Sequence, residues 1–319
     1  MAVRAADRVG TDIVHPAGTI TRAATSDDAR AIFELIADCE RDLDGMAEID
    51  LDDVVSDLAR PGTDLTRDSL LVHVDGGDLV GYALVFKSDR AEVQIRPTHR
   101  GRGIGTFLLG WTETRARELG SDRVSQTVTD NDELAAVLLT AHGYEPKDTA
   151  WILEIELESE PEVPPLPEGY TLRTFEPGRD NEATYRLIED AFGEWPGRQP
   201  STYDEWVAFS VGRETFVPTL SPLVVAGDAD GAERIVGAAL VLDYPEAAEG
   251  YVHQLAVHRD HRHRGLARAL LRYAFRDAFR LGRRTCVLST NSYTGALSLY
   301  ERVGMRIRRA YTNRSKPLR

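Results

Sequence analysis

The sequence predicts an α/β protein made of two tandem copies of one strand-and-helix unit. The first observation is a repeated loop: HRGRGIG at 99–105 returns 162 residues later as HRHRGLA at 261–267, each time between a strand-like run and an apolar helical pattern. The second is register, because the last helix predicted in each half ends at Gly143 and Gly304, an offset of 161. The third is a segment at 158–169 with four prolines and four glutamates, which can form neither a continuous helix nor a central strand. We therefore expect a tail at 1–17, an N-terminal domain at 18–157, a linker at 158–168 and a C-terminal domain at 169–319.

The elements follow the same order in both halves. In the first half the segment from Gly18 begins with a short strand, and a Thr25 or Ser26 cap then precedes Ala29, Ile32, Phe33 and Ile36, the spacing of an amphipathic helix. Alternating apolar residues and turn signals then predict strand pieces at 69–87, 90–97, 122–130 and 151–157, with helices at 106–120 and 132–143. In the second half the predicted strands lie at 169–175, 221–228, 234–244, 251–257 and 285–290, and the helices at 183–192, 266–282 and 295–304.

Composition narrows the class of protein. The chain has 319 residues, 42% of them apolar and 28% charged, which is ordinary for a globular domain. Its net charge of −14 argues against a nucleic-acid partner and favours a cationic substrate. Cys39 and Cys286 have no metal-ligand spacing, so we expect no metal site, no disulfide framework and a reducing cytoplasm. We expect no membrane segment, since no window approaches 18 apolar residues. Monomer and homodimer are equally compatible with the sequence.

The two glycine loops are candidate phosphate sites. A strand, a glycine-rich turn and a helix start bring backbone N–H groups together, and the helix dipole favours an anion there. Arginines at positions 100, 102, 262, 264 and 268 can add charge-assisted hydrogen bonds. The plain alternative is a solvated turn. A dinucleotide-binding loop would follow the first strand of its unit, not the fourth, and neither copy has the Gly-Lys-Ser/Thr of a nucleotide-triphosphate loop.

The combined pattern resembles the GNAT superfamily of acyl-CoA N-acyltransferases. Its signature, [R/Q]-x-x-G-x-[G/A] between a strand and a helix, falls on Arg100, Gly103 and Gly105 and again on Arg262, Gly265 and Ala267. A later helix ending in LY-x-x-x-G is also typical of the family. The tandem layout is similar to that of the two-domain acetyltransferases of actinobacteria, such as the mycothiol synthases. The resemblance implies two domains, each a mostly antiparallel mixed sheet flanked by helices.

The resemblance also implies acetyl-CoA as co-substrate, with loop amides on its pyrophosphate and its pantetheine arm along the strand before the loop. The residues implied in the second half are Leu255, Val257, Arg262, His263, Arg264, Gly265, Leu266, Ala267, Arg268 and Asn291. Those implied in the first half are Ile95, Arg100, Gly101, Arg102, Gly103, Ile104, Gly105 and Thr106.

The family's proton donor to the leaving thiolate is the tyrosine of LY-x-x-x-G. In the second half this is Tyr300, whose alternative role is packing against the sheet. In the first half Leu139 takes the position, and leucine cannot give a proton. We therefore expect the C-terminal site to be catalytic. The N-terminal site can be a CoA-binding relic, a structural support, or a site that uses another acid.

Two positions depart from the family pattern. His263 stands where the first loop has Gly101, so the second loop is strained if this position needs a positive φ. The family asparagine lies seven residues before the tyrosine, but here Tyr293 has that place and Asn291 lies nine before it. A longer connection into the helix would reconcile the spacing.

The acceptor amine must lose a proton, since an alkyl ammonium has a pKa of about 10. His253 and Glu249 are the candidate bases, with Glu92 as the N-terminal analogue, and strand alternation puts Glu249, Tyr251 and His253 on one face. The segment 189–206 would wall the acceptor pocket in this family. Its carboxylates and indoles suit a cationic amine, but they equally suit a solvated acidic helix with two core tryptophans. These residues are Glu189, Asp190, Glu194, Trp195, Asp204, Glu205 and Trp206.

The sequence thus predicts an acetyl-CoA-dependent N-acetyltransferase that moves an acetyl group to a primary amine of a small molecule by direct attack. A protein N-acetyltransferase is a second possibility within the enzyme class. A non-catalytic acyl-CoA-binding or interaction protein is the alternative outside it, because Leu139 shows that one half tolerates the loss of its acid.

Overall fold

The computed structural model describes residues 15–47, 49–60, 62–195, 198, 200–227 and 233–318. Apart from residues 15–17, the expected tail lies outside these ranges. The chain forms two compact units: unit 1 runs to Thr149 and resumes at Tyr311, and unit 2 runs from Ala150 to Ala310. The boundary between the two units therefore lies before the proline-rich segment at 158–168. The residues from Tyr311 onwards belong to unit 1.

The strands and helices alternate much as the sequence predicts. The described strands are β1 (Thr19–Arg22), β2 (Ser69–Val74), β3 (Leu79–Phe86), β4 (Arg90–Ile95), β5 (Arg123–Thr129), β6 (Glu145–Glu156), β7 (Tyr170–Thr174), β8 (Pro222–Gly227), β9 (Glu233–Tyr244), β10 (Glu249–Val257), β11 (Thr285–Asn291) and β12 (Arg306–Pro317). The described helices are α1 (Ala29–Asp44), α2 (Leu51–Leu58), α3 (Leu65–Asp68), α4 (Ile104–Glu118), α5 (Glu133–Ala141), α6 (Asn181–Phe192), α7 (Tyr203–Phe209), α8 (Leu266–Arg280) and α9 (Leu297–Arg302).

Unit 1 is a mixed sheet with helices on both faces. Its strand order is β1-β2-β3-β4-β5-β12, antiparallel throughout except for the parallel pair β4 and β5. On one face α1 and α2 bury Ile32, Leu35 and Val54. On the other face α4 buries Phe107 and Leu108. Each such side chain stabilises the fold by about 1.5–3 kcal/mol through burial of apolar surface.

Unit 2 repeats this architecture. Its order is β6-β11-β10-β9-β8-β7, again antiparallel except for the parallel pair β10 and β11. The predicted apolar stripe of α8 is buried against the sheet, including Leu270, Leu271 and Phe275. Helices α6 and α7 cover the other face, where Ile188 and Trp206 are buried. The predicted fold class, two tandem mixed sheets flanked by helices, is confirmed.

Four elements were absent from the sequence prediction, one of them the short helix α3. Helices α2 and α7 begin with capping boxes, Asp50 with Asp53 and Thr202 with Glu205, in which each side chain accepts a backbone N–H of the other residue. Strand β12, whose residues from Tyr311 onwards pair with β5, was also not predicted. Among the described residues no helix is long and apolar enough to cross a membrane.

Candidate active site

Each repeated loop ends in a glycine that starts a long helix. Gly103 has φ 81 before α4, and Gly265 has φ 80 before α8, a conformation that strains residues with a Cβ. The first helical bonds run from Phe107 N to Gly103 O and from Ala269 N to Gly265 O, so the preceding N–H groups have no acceptor within the helix. Both loops therefore present amides suited to an anion. These amides belong to Ile104, Gly105 and Thr106 in unit 1 and to Leu266, Ala267 and Arg268 in unit 2.

A second position with a positive φ lies two residues before each of these glycines. It is Gly101 in unit 1, with φ 75, and His263 in unit 2, with φ 62. The left-handed region costs a residue with a side chain about 1–2 kcal/mol. Unit 2 thus keeps a strained histidine where unit 1 has glycine.

In unit 1 the parallel strands before the loop pair over only part of their length. Arg90 pairs with Ser125 and Ala91 with Gln126, and the register stops there although β4 continues to Ile95. The edge of β4 that faces away from β3 is therefore open beyond Ala91. A polar chain such as a pantetheine amide can hydrogen-bond to an edge of this kind.

In unit 2 the same divergence occurs. Val252 and Leu288 form the last parallel pair, while β10 continues to Val257. Leu255 and Val257, like Ile95 of unit 1, lie in the diverging ends. Their side chains pack into or against the hydrophobic core, and the backbone groups of these strand ends can serve a ligand.

Unit 1 contains a cavity of about 370 Å³ along this open edge and the glycine loop. Its lining includes the predicted residues Ile95, Arg100, Gly101, Gly103, Gly105 and Thr106. It also includes residues that the sequence analysis missed, namely Val93, Gln94, Leu109, Gln126, Val128, Asp132, Leu134, Ala135 and Leu138. The wall contributed by α5 could have been inferred from the apolar pattern of that helix. Ile104, by contrast, is buried in the core and contributes only its backbone.

Several loop arginines are held by carboxylates. Arg100 Nη1 lies 2.6 Å from Asp42 Oδ2 of α1. In unit 2, Arg262 contacts both carboxylate oxygens of Glu194, at 2.7 and 3.1 Å, and its Nε donates to Val257 O at 3.1 Å. These two arginines therefore fasten the loop to its unit.

The remaining loop arginines are oriented differently. Arg264 donates to Asp260 O at 3.3 Å, with its guanidinium 5.9 Å from the centre of the Tyr170 ring. Arg102 and Arg268 are exposed beside the glycine loops, where they can reach a bound anion.

Tyr300 is buried in the core of unit 2, with 7% of its surface exposed. Burial raises the pKa of its phenol to about 12, while a hydrogen bond with Thr290 opposes this shift. A 3-10 turn at 292–294 lies between Asn291 and α9, so the connection into the helix has the extra residues that the spacing required. Among the described residues, Asn291 Oδ1 is buried without a hydrogen-bond partner, as a ligand-binding amide can be. Leu139 of unit 1 is buried and lines the cavity.

His253 is the extra residue of a β-bulge. Val252 pairs with Val241 and Gln254 pairs with Leu240, so His253 has no partner on β9. The extra residue interrupts the alternation of side chains. As a result, His253 and Gln254 both contact α7.

The surroundings of His253 keep it neutral. Its ring centre lies 4.7 Å from that of Phe209, and Nε2 lies 3.5 Å from Ser210 Oγ. Burial and the nearby Arg213 lower the pKa of His253 to about 4, although a backbone hydrogen bond at Phe209 opposes the shift. The imidazole is therefore a hydrogen-bond acceptor at neutral pH, and a weak base.

Glu249 lies far from the glycine loop. It begins β10, eight residues before Val257, which is about 26 Å along an extended strand. Its Oε1 accepts a hydrogen bond from Arg308 Nη1 at 2.9 Å. The structure therefore does not bring Glu249 together with His253 and the glycine loop. The alternation of side chains along β10 puts Glu249 and His253 on the same face of the sheet, but the two residues lie at different places along the strand.

The acidic segment of unit 2 has largely structural contacts. Glu189 is ion-paired with Arg198, which holds the pKa of Glu189 below its usual range, and Glu205 caps α7. Trp206 is 2% exposed and donates from Nε1 to Gln254 Oε1 at 3.0 Å. Trp195 stacks on Phe192 with ring centres 4.1 Å apart. Trp206 is thus a core residue, and Trp195 is the more accessible indole.

No group of three or more His, Cys, Asp or Glu side chains that could hold a metal ion occurs in the described part of the chain. Cys39 and Cys286 are both buried free thiols.

Comparison with known proteins agrees with this geometry. The Acetyltransferase (GNAT) family matches residues 29–144 and again 181–305. A mycothiol acetyltransferase of Actinosynnema mirum is 34% identical over 254 residues, covering 78% of this chain and 82% of the relative. One from Geodermatophilus obscurus is 32% identical, covering 75% and 78%.

Solved structures show the same fold over almost the whole chain. A GCN5-related N-acetyltransferase from Sphaerobacter thermophilus has a TM-score of 0.79 and 33% identity, covering 96% of this chain and 98% of that one. A tandem GNAT protein from the clavulanic acid biosynthesis pathway has a TM-score of 0.70 at 19% identity, covering 94% and 99%, and supports the fold alone. The chain therefore belongs to the GNAT family of acetyltransferases and is an N-acetyltransferase with two tandem GNAT units.

Proposed function

We propose that this protein uses acetyl-CoA to acetylate a primary amine of a small molecule, and that Tyr300 and His253 act in unit 2. The observation that carries the proposal is a coincidence within unit 2. A helix start with outward amides, a diverging strand pair and a tyrosine with a retained proton all belong to one sheet and its covering helices. Each feature suits one part of acetyl-CoA. The amides at the helix start suit the pyrophosphate, the diverging strands suit the pantetheine arm, and the tyrosine suits the leaving sulfur.

Tyr300 acts on the leaving sulfur. A thiol has a pKa of about 8.5, so a phenol of pKa about 12 cannot protonate a free thiolate completely. It can donate a hydrogen bond that stabilises the developing negative charge on sulfur. Its contribution is therefore moderate, on the order of 10- to 100-fold in kcat, toward the lower end of general acid catalysis.

His253 acts on the amine. Because its pKa is about 4, it is neutral at pH 7 and can accept a hydrogen bond from the nucleophile without holding the proton for long. Direct attack forms the C–N bond and breaks the C–S bond, with the amine proton passing to solvent. We expect the rate of unit 2 to rise with pH as the amine itself deprotonates.

Other features favour a small cationic acceptor. The net charge of −14 attracts cations, and the names of the relatives above, mycothiol acetyltransferases, favour a small molecule. We propose a cytoplasmic protein, a monomer or homodimer, without nucleic-acid or membrane partners. We also propose that the residues implied by the family resemblance, including Asn291, His263 and Arg264, bind CoA.

The test is amine-dependent release of free thiol from acetyl-CoA with a panel of small amines and lysine peptides. We expect Tyr300→Phe to lower kcat about 10- to 100-fold, while the matched control Tyr273→Phe, on the half-buried face of α8, changes it less than about twofold. Equal rates for wild type and Tyr300→Phe would remove Tyr300 from the mechanism. CoA binding without turnover of any amine would favour the non-catalytic acyl-CoA-binding protein.

A further inference from the structure

We propose that the acceptor of unit 2 is an amine that also carries an anionic group, and that Arg213 binds this group while the amine lies at His253. The inference deepens the proposed function and rests on it, because it names the class of acceptor for the same site. The anionic group is a carboxylate or a phosphate, both of which a guanidinium binds through paired charge-assisted hydrogen bonds.

Arg213 follows α7 and is tied to the surroundings of His253. Its backbone N–H donates to Ser210 O at 3.3 Å, and Ser210 Oγ lies 3.5 Å from His253 Nε2. Phe216 N donates to Arg213 O at 3.0 Å, and Phe216 forms a bridge with Leu242 of β9. Leu242 pairs with the residue of β10 that lies two places before His253. The backbone therefore fixes Arg213 next to the candidate acceptor position.

The guanidinium of Arg213 is available to a ligand. It is exposed, and within the described ranges it has no ion pair, side-chain hydrogen bond or ring contact. The adjacent Glu214 is also exposed and does not pair with it. By contrast, Arg198 and Arg262 of the same unit are each held by a glutamate. A guanidinium is always charged and has five N–H donors, so Arg213 can bind an anion without breaking a contact of the fold.

The charge of Arg213 acts on the place where the amine would lie. Burial lowers the pKa of His253 to about 4, and the positive charge of Arg213 adds to the shift. Burial raises the pKa of Tyr251, the nearby Tyr244 adds to that shift, and Arg213 opposes it. In the part of the chain that the structure describes, no carboxylate contributes to either shift. The surroundings of His253 are therefore positive, although the net charge of the chain is −14.

The carboxylates at this end of β9 and β10 are engaged elsewhere. Asp243 is paired with Arg283, and Glu249 accepts a hydrogen bond from Arg308 at 2.9 Å. An amine with no charge besides its ammonium would thus meet the guanidinium without a carboxylate to offset the repulsion. An anionic group on the same molecule removes that repulsion and gains a charge-assisted hydrogen bond. The net charge of the chain affects only the approach, since salt screens exposed charges beyond about 8 Å.

A row of rings beside Arg213 offers a surface for the rest of the acceptor. The ring centre of His253 lies 4.7 Å from that of Phe209 and 6.2 Å from that of Tyr251. The Tyr251 ring centre lies 6.3 Å from that of Tyr244, and Phe209 is 59% exposed. Aromatic faces of this kind contribute apolar contact area. An amino acid with an apolar side chain has all three parts that the site can bind: an amine, an anion and an apolar body.

The experiment compares amines that differ in the anionic group. Amine-dependent release of thiol from acetyl-CoA is measured with phenylalanine, glycine and phosphoethanolamine, and with the uncharged counterparts phenylalaninamide, glycinamide and ethanolamine. The proteins are the wild type, Arg213→Gln, Arg213→Lys and the matched control Arg186→Gln, which changes an arginine of α6 whose side chain is 71% exposed. The ratio of kcat/KM between wild type and variant is taken for each amine, so that differences in amine basicity cancel.

We expect Arg213→Gln to lower kcat/KM about 10-fold for the anionic amines, mainly through KM, because a charge-assisted hydrogen bond is lost. For the uncharged counterparts the change should stay below about twofold. Arg213→Lys should restore part of the loss, since it keeps the charge but not the paired geometry, and Arg186→Gln should change neither set. A loss confined to phenylalanine and glycine identifies a carboxylate, and one confined to phosphoethanolamine identifies a phosphate.

Equal losses for anionic and uncharged amines would overturn the anion site, because Arg213 would then act through His253 or through the fold. No loss with any amine, or a wild type that turns over only the uncharged amines, would overturn it as well. In each of these cases turnover by the wild type leaves the proposed function intact. A wild type that acetylates no amine would overturn both.

Discussion

Partial burial raises the pKa of the Glu92 carboxyl group, which should cost stability, and Glu92→Gln measures that cost. The unfolded chain has a glutamate pKa of about 4.5, and the folded protein holds Glu92 near 7. The folded state therefore binds the proton more tightly, so its stability falls as the pH rises from about 4.5 to 7. A difference of about 2.5 in pKa lowers the free energy of unfolding by about 3 kcal/mol above pH 7. Because Glu92 is only half-buried by surface area, solvent screening reduces this to roughly 1.5 kcal/mol.

The glutamine variant removes the carboxylate and keeps its shape. We expect Glu92→Gln to raise the melting temperature of unit 1 at pH 8 by about 3–6 °C, at 2–4 °C per kcal/mol for a unit of this size. At pH 4.5 the melting temperatures of the wild type and of Glu92→Gln should differ by no more than about 1 °C. The assay is circular dichroism melting at both pH values, with Glu145→Gln as the control. A variant that is less stable than wild type at pH 8, or equally shifted at both pH values, would refute the argument that the folded protein disfavours the ionised carboxylate of Glu92.

Two further substitutions test the loops. His263→Gly should raise the stability of unit 2 by about 0.5–1 kcal/mol, since relief of a positive φ outweighs the added chain entropy; a loss of stability in chemical denaturation would show that the imidazole makes contacts that outweigh the strain. Gly105→Asp should abolish CoA binding to unit 1 in calorimetric titration, because its carboxylate would occupy the helix start that the pyrophosphate needs and its Cβ would crowd Leu138 and Ile95 at the cavity wall; Gly105→Ala, which reproduces Ala267 of unit 2, is the matched control and should keep binding. Unchanged binding in Gly105→Asp would show that this wall moves or that the ligand lies elsewhere.

The glycine loop and the last helix recur at nearly the same spacing in the two halves of the sequence, and this repeat was sufficient to predict the fold class. Gly103 and Gly265 stand at the same place in both halves, and the structure gives them nearly the same φ. The apolar stripe of α8 predicted its buried face, because helical spacing depends only on local sequence. The capping boxes at Asp50 and Thr202 were readable signals for α2 and α7.

Long-range pairing could not be predicted in the same way. The last strand, RIRRAYTNRSKP, has little apolar alternation, and its pairing with β5 depends on residues nearly 190 positions away. The bulge at His253 leaves no mark in the order of residues, so the sequence could not show that His253 and Gln254 both contact α7. Glu249 and His253 share a face, but they lie four residues apart on β10, roughly 13 Å along the strand, a distance that the residue count already implied.

The most direct measurement is isothermal titration of the wild-type protein with CoA. Two sets of outward loop amides predict two equivalents per chain, one of them lost in Gly105→Asp. Absence of any binding would contradict the account as a whole, and a single equivalent that survives Gly105→Asp would contradict the site in unit 1.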